Sequence, residues 1–573
     1  MSSVALADAS TAPFRDPSDE PLHKSTIDPS LLLSRILIVL AFVAQIIIAW
    51  RYWNLTWDDS AITLGFARTF ALTGRIEPTP GSGIVEGYST TLWMLLMTVA
   101  AKLTSTPAAL LIIAKISTLL LNLANILLIR RWFSSWTSET CANLIAGSVG
   151  CGLMFYETIN GMETPMILAL LLAMLLLRSI PGRLPYVFYL LAGSAFLLAR
   201  WELTWLLVPF ILVESTFRRT LISSFTWLSV FVVSNVARYL YFGSILPNTI
   251  IAKRGPPYSH PLHGHEIARH LGEPAYILAS CKIFLLLLIV SFLYNRFVLK
   301  QNAPLVQRLR QTLYNSWQLR FTILFVLFSL VLSTAIGKNS GPEFRSFYSA
   351  WPFLFCLFLL PITSNRRSPA LPWFTAIVCL FALLRMSVHI RELNSKDAPV
   401  YMPEATIADI GRVNAPLAEV ASAAHRPNLV YAGADMGAVM LFTHGVRVID
   451  LGLLCDPVLA RKRYAAINSY VLQQRKPDVI EVHEPWTALT NFHNSSLFLS
   501  QYRPFYIDGK RLFVSRALIA DIGAAHLTEK PFDAAGYPQE MDDSHTDSSY
   551  LAADYVLNRD FGTYLVFNNP TNP

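Results

Sequence analysis

Apolar residues run along this chain in blocks separated by short polar or basic joints, from residue 31 to residue 388. A helix needs about 20 apolar residues to cross about 30 Å of hydrocarbon at about 1.5 Å per residue. Blocks near that length lie at 31–50, 108–129, 142–157, 163–178, 185–199, 203–217, 222–241, 275–296, 320–336, 349–364 and 369–388. They predict about eleven membrane-crossing helices. After residue 400 the period changes. NLVYAG, a helical stretch after Asp435–Gly437, VRVIDL, a helix through ARKRYAAINSYVLQQRK and the strand PDVIEVHE alternate as β-α-β-α-β, which predicts a small parallel sheet. RPFYI-DGK-RLFVSR closes it as a hairpin. Asp435 is expected to cap the helix that follows it. Beyond about 520 the chain is acidic and polar, with Asp542, Asp543 and Ser548, and partial disorder or loose docking is expected there.

The predicted fold class is therefore a polytopic α-helical membrane protein with a C-terminal α/β domain. Its segments are 1–30, a membrane domain at 31–390 with a long loop at 51–106, a soluble domain at 391–520 and a tail at 521–573. Composition agrees: of 573 residues, 53% are hydrophobic and 15% charged, against about 25% charged in soluble domains. The net charge of +8 sits in short clusters between apolar runs, as in cytoplasmic loops, so no nucleic-acid partner is expected. Five of the six cysteines lie in or beside apolar segments and Cys455 stands alone, which leaves neither a disulfide framework nor a CxxC metal site. The polar N-terminus through Asp28 has no Arg-rich leader or cleavage site, so 31–50 reads as a retained span.

Charge orients the spans. With the N-terminus inside, even crossings end at Arg130/Arg131, Arg178/Arg183, Arg218/Arg219, Arg296/Lys300 with Arg308/Arg310, and Arg366/Arg367, as the positive-inside bias requires. The apolar stretch 90–103 is left out of the count and read as interfacial or re-entrant, because a further crossing would invert every later cluster. The loop 51–106 and everything after 389 then lie outside the cytoplasm.

Residues capable of chemistry gather on that side. In WDDSAITLGFARTFALTGRI, Ile62, Phe66 and Phe70 recur every fourth position and Gly74 follows, so about four turns of helix begin at or just after Asp58 and Asp59. The pair either caps this helix or, as adjacent carboxylates at a helix start, serves as a general base or a divalent-cation site. Glu86, Tyr88 and Trp93 stand in PGSGIVEGYSTTLW, Glu157 and Glu163 in ETINGMET, and Arg200 and Glu202 in ARWELTW. Lys253 and Arg254, after LPNTIIA, and Lys338 and Arg345, in GKNSGPEFRSFYSAWP, run against the positive-inside bias, so a lipid-linked phosphate is the natural counter-charge. His444, His483 and Glu484 could line an acceptor cleft.

The order WDDSAITLGFARTF, VEGYSTTLW, GMETP, ARWEL, LPNTIIAK, EFRSFYSAWPFL resembles the multispanning lipid-phosphosugar-dependent glycosyltransferases of the C-type fold, nearest to the bacterial terminal arabinofuranosyltransferase family. ADMGAVMLFTHGVRVIDLGLLCD and RKPDVIEVHE extend the likeness over most of 50–515. The resemblance implies inverting transfer of a sugar, arabinofuranose in the nearest family, from a polyprenyl-phosphate donor to a glycan or glycoprotein acceptor outside a bacterial inner membrane. It implies that Asp58 and Asp59 are catalytic, and that Glu86, Tyr88, Lys253 and Arg345 contact substrate. Glu163, Arg200, Glu202 and Asn248 are carried as substrate-binding candidates. The segment GKNSGPEF departs from the family's Gly-rich loops, which leaves the sugar open to mannose or another pyranose. A lipid-linked-substrate transporter is the rival from another class. Of the acidic pair, Asp58 is favoured as base, with Asp59 orienting the acceptor or a cation.

Overall fold

The computed structural model describes residues 28–568 except 105, 153, 155–156, 159, 255–257, 259–274, 276, 278–280, 294–315, 337–346, 364–368, 395–404, 407–413, 483–485, 508–509, 533–556 and 558. Arg345, Lys338, His483, Glu484, Asp542, Asp543 and Ser548 lie outside the described residues.

Most of the chain before residue 395 is helical. Helix α1 (Pro29–Arg51) starts where Asp28 accepts the Ser30 amide at 2.9 Å, with Pro29 supplying a preset first turn. β1 (Leu55–Thr56), α2 (Asp58–Thr73) and α3 (Thr91–Leu103) follow. Then come α4 (Pro107–Ser134), α5 (Glu139–Gly152), α6 (Thr164–Ser179) and α7 (Arg183–Ala199). Next are α8 (Val208–Leu212), α9 (Phe217–Phe242), α10 (Asn248–Lys253) and α11 (Lys282–Leu293). α12 (Trp317–Ile336), α13 (Trp351–Thr363) and α14 (Leu371–Asn394) complete the bundle.

Five of these, α1, α4, α9, α12 and α14, are long and apolar enough to cross a membrane, which makes this a helical membrane protein. Their outer faces expose large apolar side chains, among them Val39, Val43 and Ile47 on α1 and Phe225, Leu228 and Val232 on α9, surface that lipid rather than water would cover. Three expected spans differ in shape. The block 203–217 is a 3₁₀ segment, Trp201–Leu207, followed by α8; Pro209 has no amide to give and its ring crowds the preceding carbonyls, so one straight α-helix cannot form. Tyr348–Ala350 is likewise 3₁₀ ahead of α13. α5 ends at Gly152 and is buried along its length from Thr140. Gly147 and Gly150 let α1 close on it, since a Cβ there would stand 2.6 Å from Leu37 and 2.8 Å from Ala41. α3 has 13 residues, about 20 Å of helix, too short to cross alone.

The bundle has two distinguishable ends. At one, Glu139 bridges Arg35 (3.1 Å) and Arg130 (2.9 Å), while Arg178 pairs with Glu214 at 3.6 Å and stacks on Trp317. At the other, α1 hands over to β1, Lys115 of α4 donates to the Leu55 carbonyl, and Arg238 ends α9 beside Glu86. The C-terminal part docks at this second end.

That part is built on β3 (Leu429–Gly433), β4 (Val446–Asp450), β5 (Val479–Ile480), β6 (Tyr502–Ile507), β7 (Lys510–Ser515), β8 (Leu527–Pro531) and β9 (Thr563–Phe567). The seven-stranded order is β4-β3-β5-β7-β6-β9-β8. β3 runs parallel to β4 and β5, and β6–β7 is the expected antiparallel hairpin. The tail differs from expectation: β9 pairs in parallel with β6 and antiparallel with β8, so the domain continues past 520. Tyr564 beside Tyr506 and Phe567 beside Phe505 supply the apolar contacts that hold it. β2 (Ala405–Thr406) pairs with β1, tying the end of the bundle's last connection to the first loop.

Candidate functional site

α2 stands between bundle and sheet. Trp57 occupies the capping position before it and makes no side-chain cap bond, so Asp58 and Asp59 are its first two helical residues rather than its cap residue. Gly74, at φ 70°, closes the helix by donating to the Phe70 carbonyl at 2.9 Å. Ile62 and Phe66 are buried as their spacing predicts.

Across from α2 lies α15 (Gly437–Phe442), and the two helices meet backbone to backbone through a glycine on each. A Cβ at Gly65 would lie 2.7 Å from Met440 Cβ, and one at Gly437 would lie 2.3 Å from the Asp58 carbonyl and 2.5 Å from its Oδ1. Arg68 fastens the far end, donating to the carbonyls of Leu441 (2.8 Å) and Thr443 (3.0 Å) and meeting the exposed His444 ring. Met436, not Asp435, precedes α15, and Asp435 takes φ 50°. The expected cap is thus displaced by a left-handed turn that aims the next amides at Asp58. Ala438 N donates to Asp58 Oδ1 at 3.3 Å.

Asp58 keeps partial exposure at the foot of this junction. Burial pushes its carboxyl well above the usual carboxylate range; Asp435 and then Asp59 add to the rise, and the amides of Gly437 and Ala438 oppose it. Asp59 is exposed.

The loop after β4 gathers the other motifs. Asp450 accepts the amides of Gly452 (2.7 Å) and Cys455 (2.6 Å) and is pushed by burial to about 7. Tyr258 donates to the Gly452 carbonyl at 2.7 Å. Burial, then the charges of Asp450, Tyr464, Asp435 and Asp59, hold its phenol well above its usual range, so it stays a donor. Cys455 contacts the Gly87 carbonyl at 3.7 Å, and Asn248 donates to the carbonyls of Leu453, Leu454 and Asp456 at 3.3, 2.8 and 3.2 Å. Arg463 donates to the carbonyls of Ile251 and Ala252, closing the other end of α10 and presenting the half-exposed Lys253 at the same junction. Ser82 accepts the Val448 amide at 2.9 Å on the outer edge of β4.

A second cluster adjoins the first. Arg200 bridges Glu163 (3.2 Å) and Glu202 (2.6 Å) and reaches Ser89 at 3.4 Å. Gly161, in the same loop as Glu163, packs against Ser60 and accepts from the Trp93 indole at 3.2 Å.

The structure therefore divides the candidates. Asp58, Asp59, Arg200, Glu202 and Lys253 retain exposure at the junction. Glu86, Tyr88, Glu163 and Asn248 are buried. Glu86 takes a two-pronged bond from Arg238, at 2.6 and 3.1 Å, because a buried carboxylate needs a fixed counter-charge. Tyr88 packs edge-on against Phe66 with centroids 5.0 Å apart. Arg238, Lys115, Tyr258 and Asp450 escaped the sequence reading. The first two were legible as ionisable residues inside apolar runs, which in a membrane protein require an explanation. The last two carried no local signal. Among the described residues no group of three or more His, Cys, Asp or Glu side chains is placed to hold a metal ion. Compared with protein-family models and with curated proteins, the chain matches none.

Proposed function

We propose that this protein is a membrane glycosyltransferase that moves a sugar, arabinofuranose by the resemblance of its motifs, from a polyprenyl-phosphate donor to a glycan or glycoprotein acceptor. The observation that carries the reading is Asp58, a carboxylate at the start of α2 that does not hold that helix's capping position, is partly exposed, and is raised by burial above the usual carboxylate range. The acceptor hydroxyl attacks the anomeric carbon, its proton passes to Asp58, and the bond from that carbon to the phosphate oxygen breaks with inversion. Positive charge is needed at the departing phosphate, and Lys253 is a half-exposed cation beside the junction that fits this task; Arg345 is assigned the same task by its motif. A lipid-tailed donor explains why the chemistry belongs where loop 51–106 leaves the bundle. In this reading all eleven apolar blocks form the membrane domain and the junction faces outside the bacterial cytoplasmic membrane.

The test is transfer by purified full-length protein from a short-chain polyprenyl-phosphoryl arabinofuranose to a synthetic arabinofuranoside. Asp58→Asn should lower turnover about 10²–10⁴-fold while the protein stays monodisperse. Near-normal turnover by that variant removes the base, and a wild-type enzyme that uses only a hexosyl donor replaces the sugar but keeps the mechanism.

A further inference from the structure

The C-terminal α/β part need not be only an acceptor-binding appendage, because one of its turns touches the proposed base. Three geometric facts converge on that turn. Asp435 is held at φ 50°, a conformation a side chain other than glycine adopts at a cost. Gly437 leaves no room for a Cβ between itself and Asp58. Ala438 N bonds Asp58 Oδ1. The outcome is a backbone amide bonded to a side chain that lies 380 positions earlier in sequence, with the Asp435 carboxylate of the same turn close enough for its charge to act on that side chain.

We propose that the turn Asp435–Ala438 is a positioning element of the transfer reaction: its amides hold the Asp58 carboxylate in place, Asp435 faces that carboxylate, and the base is complete only with the C-terminal part docked. This rests on the functional reading above. Among the described residues, the elements packed around Asp58 carry the following other charged groups. On α2 itself Asp59 is adjacent and Arg68 is committed to Leu441, Thr443 and His444. α15 carries no titratable side chain. α3 contributes Lys102 in its last turn, and α4 contributes Lys115, which donates to Leu55. Tyr431 and Cys455 lie within reach of the Asp58 charge, both with their acidity suppressed by burial. Among the described residues Asp435 is thus a charge from another element that acts on Asp58, and it and the Ala438 amide act in opposite senses.

The opposition supplies the test. In full-length protein, carbodiimide labelling of Asp58 is followed against pH by peptide mass spectrometry, since a protonated carboxyl reacts and an ionised one does not. Asp435→Asn removes a like charge, so the labelling midpoint should move to lower pH, and the acid limb of transfer should follow, making this variant faster than wild type on that limb. Ala438→Pro removes the amide donor at a first-turn position where proline is tolerated, and both curves should move to higher pH. Should the proline variant fail to fold, Asp435→Asn alone decides. A labelling midpoint unmoved in Asp435→Asn overturns the inference, and so does a moved midpoint with an unmoved acid limb. Normal transfer by Asp58→Asn overturns the functional reading instead and leaves the labelling result standing as a property of the junction.

Discussion

Single residues in this protein are informative where their environment contradicts their chemistry. Asp450 is buried, yet it is raised only to about 7 because two short amide bonds favour its ionised form against desolvation. A carboxyl whose folded pKa lies above its unfolded value opposes folding once it ionises. The opposition is absent below the unfolded value of 3.8, grows as pH rises, and is complete above about 7. At about 1.4 kcal/mol per unit, it is on the order of 4 kcal/mol. The melting temperature of purified protein should therefore fall between pH 4 and pH 7, and Asp450→Asn should flatten that part of the curve. An identical slope in the variant would mean that another group carries the dependence. Glu86 makes the complementary case: its burial is matched by Arg238, and it anchors the loop that carries Gly87 to Cys455.

Elements are set by what their faces meet. α7 and α9 approach at Gly193, where a Cβ would stand 2.4 Å from the Trp227 indole. Trp227 is buried and donates to the Leu190 carbonyl at 3.2 Å, so the rigid ring has nowhere to retreat. Gly193→Ala should destabilise the bundle by about 1–3 kcal/mol through overpacking, read as a lower melting temperature in detergent, and Trp227→Leu in the same chain should recover part of the loss. Full stability of the single variant would show that the helices separate freely. The same logic explains the split of the block 203–217, where a run apolar enough to be one helix carries Pro209 and breaks.

The whole molecule is polar in the sense of direction. Arg35, Arg130, Arg178 and the start of α9 lie at one end of the bundle, and β1, the Arg238–Glu86 pair and the C-terminal part at the other. Under the proposed reading, the positive-inside bias assigns the Arg35–Arg130–Arg178 end to the cytoplasm and the junction to the outside. An alkaline phosphatase fused to the C-terminus should then be active in bacterial cells, and a green fluorescent protein in the same place dark. The reverse pair of results would invert the bundle and place the junction on the cytoplasmic face.

Much of this architecture was legible from the chain itself, because its signals are local. Apolar blocks, basic joints and the period change after residue 400 each depend on neighbours a few positions apart, and α2, its closing Gly74 and the β6–β7 hairpin fall where turn chemistry and spacing put them. Asp58 was visible as a carboxylate at a helix start. Whether it capped that helix was decided by contacts from the turn at 435–438, which no local pattern encodes. The same limit hid the burial of Glu86 and Tyr88, the pairing of 563–567 with β6, and the approach of Tyr258 to Asp450. Sequence alone determined which segments are apolar, helical or charged; only the tertiary structure decided which charges face one another, because desolvation and pairing energies depend on distances between elements far apart along the chain.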